Sequence, residues 1–317
     1  MTKEHSLLFE KGLLVYQEFF EYKAMQESAK NWLFSSKYRF STGSFYGCHD
    51  GLQLTDMQFG HAHQYEGILF EGYSPKDCLT IAVIQENYSV LCMNNIKMNL
   101  HDIIILDDTK AYDFISSGRV KVAIISIKKS TLLRRIPHIL SIRNFKFKDI
   151  KNLLSDTIER EWNLVLNNKN ILTQEDHLDS IEERIIKALV TTFTNNPAEV
   201  SHLTNGEKTA IEIKSYLLNS LEKNISVEEV ARKFNISEKT FQNSFKSMYG
   251  MTPKYFIQKI KLNKAHEDLL SNKQDINVSN IAMKWGFTHF GRFSKYYKDV
   301  FGTLPSETLK NNKLRFF

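Results

Sequence analysis

Near the C-terminal end of the chain, apolar residues recur twice at the same helical spacing. From Ile225 to Pro253 they fall at Val227, Val230, Ala231 and Phe234, then, after a short polar break, at Phe241, Phe245 and Met248. From Ile276 to Pro305 the corresponding positions are Val278, Ile281, Ala282 and Trp285, then Phe293 and Tyr297. With one residue inserted in the second copy, Gly250 meets Gly302 and Pro253 meets Pro305. Spacings of three and four predict helices, so each copy predicts two helices joined by a turn. Asn235 and Gly286 stand in the turns, and these residue types enter the left-handed conformation most readily. Ser226 with Glu229 fits a capping box for the first helix, and Ser237 or Thr288 can cap the second. The spacing thus predicts two helix-turn-helix units, about 226–249 and 277–300, joined by a helix from Pro253 to Leu270.

The rest of the chain has two other textures. Residues 38–128 alternate short β-branched and aromatic runs (LQLTDMQF, GILFEGY, CLTIAVIQ, YSVLCM, DIIILDD, YDFIS, RVKVAIISI) with Gly, Asn, Asp and Pro turns, which predicts about eight strands in an antiparallel barrel or double sheet. Helical spacing frames them. Phe19, Phe20, Tyr22, Met25, Ala29, Trp32 and Leu33 predict an amphipathic helix over Tyr16 to Phe34. Ile150, Leu153, Leu154, Ile158, Trp162 and Leu166, then Leu178, Ile181, Ile185, Ile186 and Leu189, predict two more, serving either as core faces or as a dimerisation pair. Asn195 to Gly206 is polar and turn-rich. The expected fold class is α+β: a β-rich, barrel-like domain over 1–145 with flanking helices, a helical region and linker over 146–206, and an all-α domain over 207–317.

Charge sharpens this division. Residues 207–317 hold 19 Lys and Arg against 11 Asp and Glu, a net of +8, leaving −2 for residues 1–206 of a 317-residue chain. A basic module on a near-neutral partner suits nucleic-acid binding. No run reaches the roughly 18 apolar residues a membrane span needs, and the start lacks a leader pattern, so a cytoplasmic protein is expected. Cys48, Cys78 and Cys92 are scattered without a C-x-x-C pair and read as buried thiols rather than metal ligands.

Function must come from the faces that the apolar positions leave free. On the second helix of each unit these carry Lys239, Gln242, Asn243 and Lys246, and His289, Phe290, Arg292, Lys295 and Lys298. Asn and Gln can pair with adenine, Arg and Lys with guanine, and an aromatic ring can rest on a thymine methyl. One other constellation carries chemistry: His61-Ala62-His63 with Glu66 nearby, and His101 as a third histidine, resembles the metal motif of cupin enzymes, although its spacing departs from that motif. No G-x-S-x-G, P-loop or dinucleotide fingerprint is present. No catalytic residue, cofactor or metal is therefore expected, and a metal-dependent barrel enzyme carrying a DNA-targeting domain is the alternative reading.

Residues 225–309 resemble the DNA-binding domain of the AraC/XylS family of transcription regulators. The resemblance rests on Ile281, Ala282, Gly286, Phe287, Phe293, Ser294, Lys295, Tyr297, Lys298, Phe301, Gly302, Pro305 and Ser306, and on Pro253, Phe256, Lys261, Leu262 and Ala265 in the connecting helix. The variant Gly-Phe-Thr-His-Phe-Gly-Arg-Phe is similar to a subgroup that includes the ethanolamine-utilisation activators. The resemblance implies a homodimeric regulator, more often an activator acting with RNA polymerase. It also implies a β-rich N-terminal sensory domain that takes a small-molecule effector, and double-stranded DNA as the partner. Where the family often has Arg, this chain has Gln242, Asn243, Lys261 and Lys295, which implies fewer paired guanine contacts and a target richer in A·T.

Overall fold

The computed structural model describes residues 10–21, 24–25, 35–43, 45–142, 145–195, 203–221, 226–271 and 277–314. Twelve strands are present among them: β1 Leu14–Phe19, β2 Ser35–Arg39, β3 Gly47–Gln53, β4 Met57–Gln64, β5 Ile68–Gly72, β6 Cys78–Asn87, β7 Leu91–Met93, β8 Ile96–Met98, β9 Asp102–Asp107, β10 Tyr112–Ser116, β11 Val120–Lys128 and β12 Lys146–Lys148. They form two antiparallel sheets, one ordered β1-β3-β4-β11-β6-β9-β12 and the other β2-β5-β10-β7-β8. One helix, α1 Lys129–Arg135, lies between β11 and β12, and two follow β12: α2 Leu153–Asn167 and α3 Glu175–Asn195. Seven more make the C-terminal part: α4 Asn205–Asn219, α5 Val227–Lys233, α6 Glu238–Tyr249, α7 Pro253–Leu269, α8 Val278–Lys284, α9 Phe290–Phe301 and α10 Pro305–Leu314.

Side-chain alternation assigns the layers. In β6, Ala82 and Ile84 point between the sheets to join Ile68, Met93, Leu106, Phe114 and Val122. Leu79, Ile81 and Val83 point the other way, onto Ile158, Trp162, Ile181, Ile185 and Leu189 of α2 and α3. Both faces of the larger sheet are buried along β6, β9 and β11, which is why CLTIAVI, DIIIL and VAIISI read as continuous apolar runs. The smaller sheet is also covered twice. Its outer face presents Leu69, Cys92 and Ile115, with Tyr38 and Phe40, to the core of the helical part, built on Ile213, Phe241, Phe245, Met248, Tyr249, Phe256 and Ile260. The order of layers is therefore helices α2 and α3, large sheet, small sheet, helical domain.

Polar contacts cross the same seam. Asn263 of α7 accepts from the Arg39 backbone N–H at 2.9 Å and donates to the Arg39 carbonyl at 2.8 Å, satisfying the free edge of β2. Tyr255 Oη donates to the Phe40 carbonyl at 2.7 Å. Lys214 of α4, 4% exposed, donates to Asn95 Oδ1 at 2.6 Å and pairs with Asp113.

One expectation is corrected. The helix expected from Tyr16 begins instead as β1, paired with β3 from Leu14↔Leu52 to Phe19↔Gly47. Sheet pairing has overridden the local spacing: Phe19 is buried, while Tyr16 and Phe20 face solvent. Tyr22, Ala29, Trp32 and Leu33 lie outside the described residues. Of the two roles open to the helical stripes that follow the strands, Leu154, Ile158, Trp162, Leu178, Ile181, Ile185, Ile186 and Leu189 serve as core on the large sheet, whereas Ile150, Leu153 and Leu166 of the first stripe, with Leu164, are exposed. All three cysteines are buried free thiols, as expected.

His61 shows how α2 is held. It lies on the face of β4 that α2 covers, with Nδ1 at 2.9 Å from Asp50 Oδ1, Nε2 at 3.3 Å from Glu159 Oε1 and its ring against Trp162. Burial opposes its charge, but hydrogen bonds to Asp50 and Glu159 outweigh that and raise its pKa above 6.5, against the repulsion of Lys121. The same hydrogen bond, with a second from Lys121, holds Glu159 down at about 2. A raised histidine stabilises the fold below its unfolded value and loses that contribution as pH rises through its folded value; a depressed carboxylate stabilises above its unfolded value and loses it as pH falls. Stability from this pair is expected to be greatest between about pH 4.5 and 6.5 and to fall on either side. Urea midpoints across about pH 3 to 9 should show a declining alkaline arm that His61→Gln abolishes and an acid arm that it only weakens, because Lys121 still holds Glu159.

Candidate nucleic-acid interface

The turns of the two helix-turn-helix units are built alike down to their hydrogen bonds. In the first, Asn235 has φ +52° and the Ile236 N–H reaches back to the Ala231 carbonyl at 3.0 Å; in the second, Gly286 has φ +79° and the Phe287 N–H reaches the Ala282 carbonyl at 2.9 Å. The left-handed residue lets the chain turn sharply while closing the last helical carbonyls. Ser226 and Glu229 form the expected capping box at α5, and Ser237 accepts from the Thr240 N–H at α6. Thr288 does not cap α9: the cap position is His289, which makes no side-chain cap bond. Asn277 caps α8 through the Asn280 N–H, a contact the residue type signals but the aligned apolar positions do not.

All nine residues expected at the interface are exposed, and they lie on α6 or on α9 and its cap. Lys239, Gln242, Asn243 and Lys246 follow one another at helical spacing on α6, opposite buried Phe241, Phe245 and Met248. Arg292, Lys295 and Lys298 do the same on α9, opposite buried Phe293, Tyr297 and Val300, with His289 and Phe290 at its N-terminal end. Among the described residues none of the five cationic side chains makes an intramolecular salt bridge, in contrast to Arg232 with Glu228 and Lys284 with Asp268. Phe290 is 43% exposed, an apolar ring held out beside the charges. A helix face with free cations, amides and one ring can enter a major groove and meet both phosphates and base edges. Lys261 is different. It is buried in α7, and burial lowers its pKa, so it stands away from this face.

The histidine constellation in the barrel does not assemble a metal site. His61 is bound to Asp50 and Glu159, whereas Glu66 turns away to Arg39 Nη2 at 2.8 Å and to Ser41. His101 lies in the turn before β9 with φ +63°. Among the described residues no group of three or more His, Cys, Asp or Glu side chains is placed to hold a metal ion.

Residues 230–311 match the family model described as "Helix-turn-helix domain". The "Probable thc operon regulatory protein" of Rhodococcus erythropolis is 37% identical over 101 residues, 32% of this chain and 30% of that protein. The "XylDLEGF operon transcriptional activator" of Pseudomonas putida is 32% identical over 141 residues, 44% of this chain and 42% of that protein. The chain thus matches less than half the length of these relatives. Among solved structures, the "AraC-like transcriptional activator CuxR" aligns over 80% of this chain and 95% of that one, with TM-score 0.47 and 12% identity.

The turn of the second unit is the most sensitive point of the interface. Gly286→Val places a β-branched side chain at φ +79°, at a cost of about 1–2 kcal/mol or more. That strain is expected to displace α9 while leaving the barrel and α6 folded. A footprint of the variant should shrink to the half read by Lys239, Gln242 and Asn243, with an unchanged far-ultraviolet dichroism spectrum. Full-length protection at wild-type affinity would remove α9 from the interface.

Proposed function

We propose that this chain is a sequence-specific, DNA-binding transcription regulator of the AraC/XylS type, reading double-stranded DNA with α6 and α9. The observation that carries the reading is the duplicated helix-turn-helix with nine exposed, unspent side chains on equivalent faces. Two such units joined by α7 suit successive major-groove turns on one side of the duplex, roughly 34 Å apart. Gln242 and Asn243 favour adenine contacts at one end of the site, and Arg292 a guanine at the other. Within the family, the Gly286 to Phe293 sequence favours the subgroup of the ethanolamine-utilisation activators.

The finer parts of the reading are an activator that works with RNA polymerase, a cytoplasmic homodimer, and a barrel that senses a small molecule. No helix among the described residues is long and apolar enough to cross a membrane. Exposed Ile150, Leu153, Leu164 and Leu166 are apolar side chains left over for a dimer contact. Between the sheets lies an apolar cavity of about 30 Å³, walled by Phe70, Met93, Leu106, Tyr112 and Phe114 among others. That space is closer to one water molecule than to a ligand-sized pocket, so an effector bound there has to part the sheets. The alternative, a metal-dependent enzyme with a DNA-targeting domain, has no support in the barrel, where His61 and Glu66 are engaged with other partners.

The base-reading and phosphate-holding residues are expected to separate by experiment. Gln242→Ala and Arg292→Ala should each weaken binding to the selected site by about 1–3 kcal/mol and relax base preference at different ends of it. Lys298→Ala should weaken all sequences alike and lower the salt slope by about 1. Titrations of specific and random duplexes at several salt concentrations give both quantities. Identical losses on random DNA for Arg292→Ala and Lys298→Ala would refute this sorting of the helix face.

A further inference from the structure

Both recognition helices end on the barrel, at the same place in each unit. A helix leaves its last four carbonyls without intrahelical donors. At the end of α6 the Ser247 carbonyl accepts from Lys97 Nζ at 3.1 Å, and the Met248 carbonyl from Cys92 Sγ at 2.9 Å. At the end of α9 the Asp299 carbonyl accepts from the Gly43 N–H at 2.7 Å, and the Val300 carbonyl from Arg39 Nη1 at 2.6 Å. In the alignment of the two units Ser247 falls on Asp299 and Met248 on Val300. The barrel therefore fills the same two acceptors in both copies, each time with one cationic side chain, which also suits the negative end of the helix dipole.

The two grips stand on opposite sides of one rigid object. Arg39 ends β2 and Gly43 follows it, whereas Cys92 and Lys97 lie on β7 and β8, across a sheet ordered β2-β5-β10-β7-β8. Three to four strand spacings separate them, about 14–19 Å. Beside the α9 grip, Asn263 and Tyr255 fasten the connecting helix to Arg39 and Phe40. The fit at α6 is close: a Cβ on Gly250, its left-handed cap, would lie 2.5 Å from Ser117 Oγ and 2.9 Å from Val90 Cβ. The equivalent Gly302 has nearly the same φ, +76° against +71°, and open space around it.

We propose that the five-stranded sheet is a brace that sets the separation and angle of the two recognition helices, with Arg39 and Lys97 as its positioning residues. The chain then accepts one spacing between its two DNA half-sites. This rests on the reading of α6 and α9 as DNA-reading helices. One inserted base pair moves the second half-site by about 3.4 Å and rotates it by about 35°, a change that a connecting helix alone could absorb by flexing and a braced pair cannot.

The test uses the full chain and duplexes that the wild type enriches from a random-sequence pool, remade with one or two base pairs inserted between the protected half-sites. The wild type is expected to lose about tenfold or more in affinity on insertion, the worth of one paired base contact. Gly250→Ala, which forces the seam apart, and Lys97→Met, which removes one donor, should cut that penalty to about twofold while binding a single half-site as the wild type does. Gly302→Ala carries the same backbone strain without touching the barrel and should keep the wild-type spacing preference. Hydrogen exchange over residues 90–98 and 247–251, read without DNA, should rise in Gly250→Ala and Lys97→Met only. The brace is overturned if the exchange rises and the spacing preference stays, if neither variant raises the exchange, or if Gly302→Ala relaxes spacing equally. A wild type that enriches no sequence from the pool removes the DNA-reading helices, and the brace with them, whatever the exchange shows.

Discussion

The contact on which the arrangement of this molecule depends is the burial of the outer face of the five-stranded sheet against the helical domain. Leu69, Cys92 and Ile115 are each about 1% exposed, although they point away from the interior of their own sandwich. Left uncovered, that face would be a contiguous apolar patch of the kind that drives association. Covered, it merges the two domains into a single core in which Phe256 touches Phe245 of the helical domain on one side and Phe40 of the sheet domain on the other. Several polar groups at the seam are paired across it: the edge of β2 by Asn263, Asp113 Oδ2 by Lys214, and the helix-end carbonyls by Lys97, Arg39 and the Gly43 amide, while Tyr249 Oη is buried there without a hydrogen-bond partner among the described residues. Separating the domains would return all of them to water at once, so the seam opens as a unit or stays closed.

The helix-turn-helix half was legible in the sequence because its information is local. Periods of three and four, an N-cap residue, a turn residue with positive φ and a glycine after the helix all lie within a few residues of one another, and duplication supplied each of these twice. The β half was legible in outline only. Runs such as DIIILDD announce strands, but β8 and β12 are three residues each and carry no periodicity. β1 shows the limit from the other side, since helical spacing of Phe19 and Phe20 with Met25 coexists with strand pairing that only the partner β3 reveals. The roles of His61 and Glu66 were hidden for the same reason. Their neighbours Asp50, Glu159 and Arg39 are far away in sequence and come together only through the sheet.

The recognition faces illustrate a different division. Which residues are exposed follows from which are buried, and the buried set was periodic, so all nine candidate side chains could be named from the sequence. The contacts at the far ends of the same helices could not. Ser247, Met248, Asp299 and Val300 act through main-chain carbonyls, and a carbonyl carries no sequence signature. Their donors lie more than a hundred residues earlier in the chain.

Charge, finally, means less when counted than when placed. The net of +8 over residues 207–317 suggests a strong field toward nucleic acid, yet several of those cations never face solvent. Lys214 is neutralised by Asp113 at the seam. Lys259 is buried in α7, where burial, together with the repulsion of Arg39, brings its pKa down to about 8 against the opposing pull of Asp299. Lys261 is lowered by burial as well. Among the described residues, exposed cations without an ion pair stand on α6 and α9, and there the two units differ: Lys239 and Lys246 stand beside Gln242 and Asn243, whereas Arg292, Lys295 and Lys298 share their face with an exposed Phe290. The first unit has the side chains for amide-to-adenine pairing and the second has those for a denser phosphate grip. A duplicated scaffold has thus kept the hydrogen bonds of its turns while its two outward faces have diverged in chemistry.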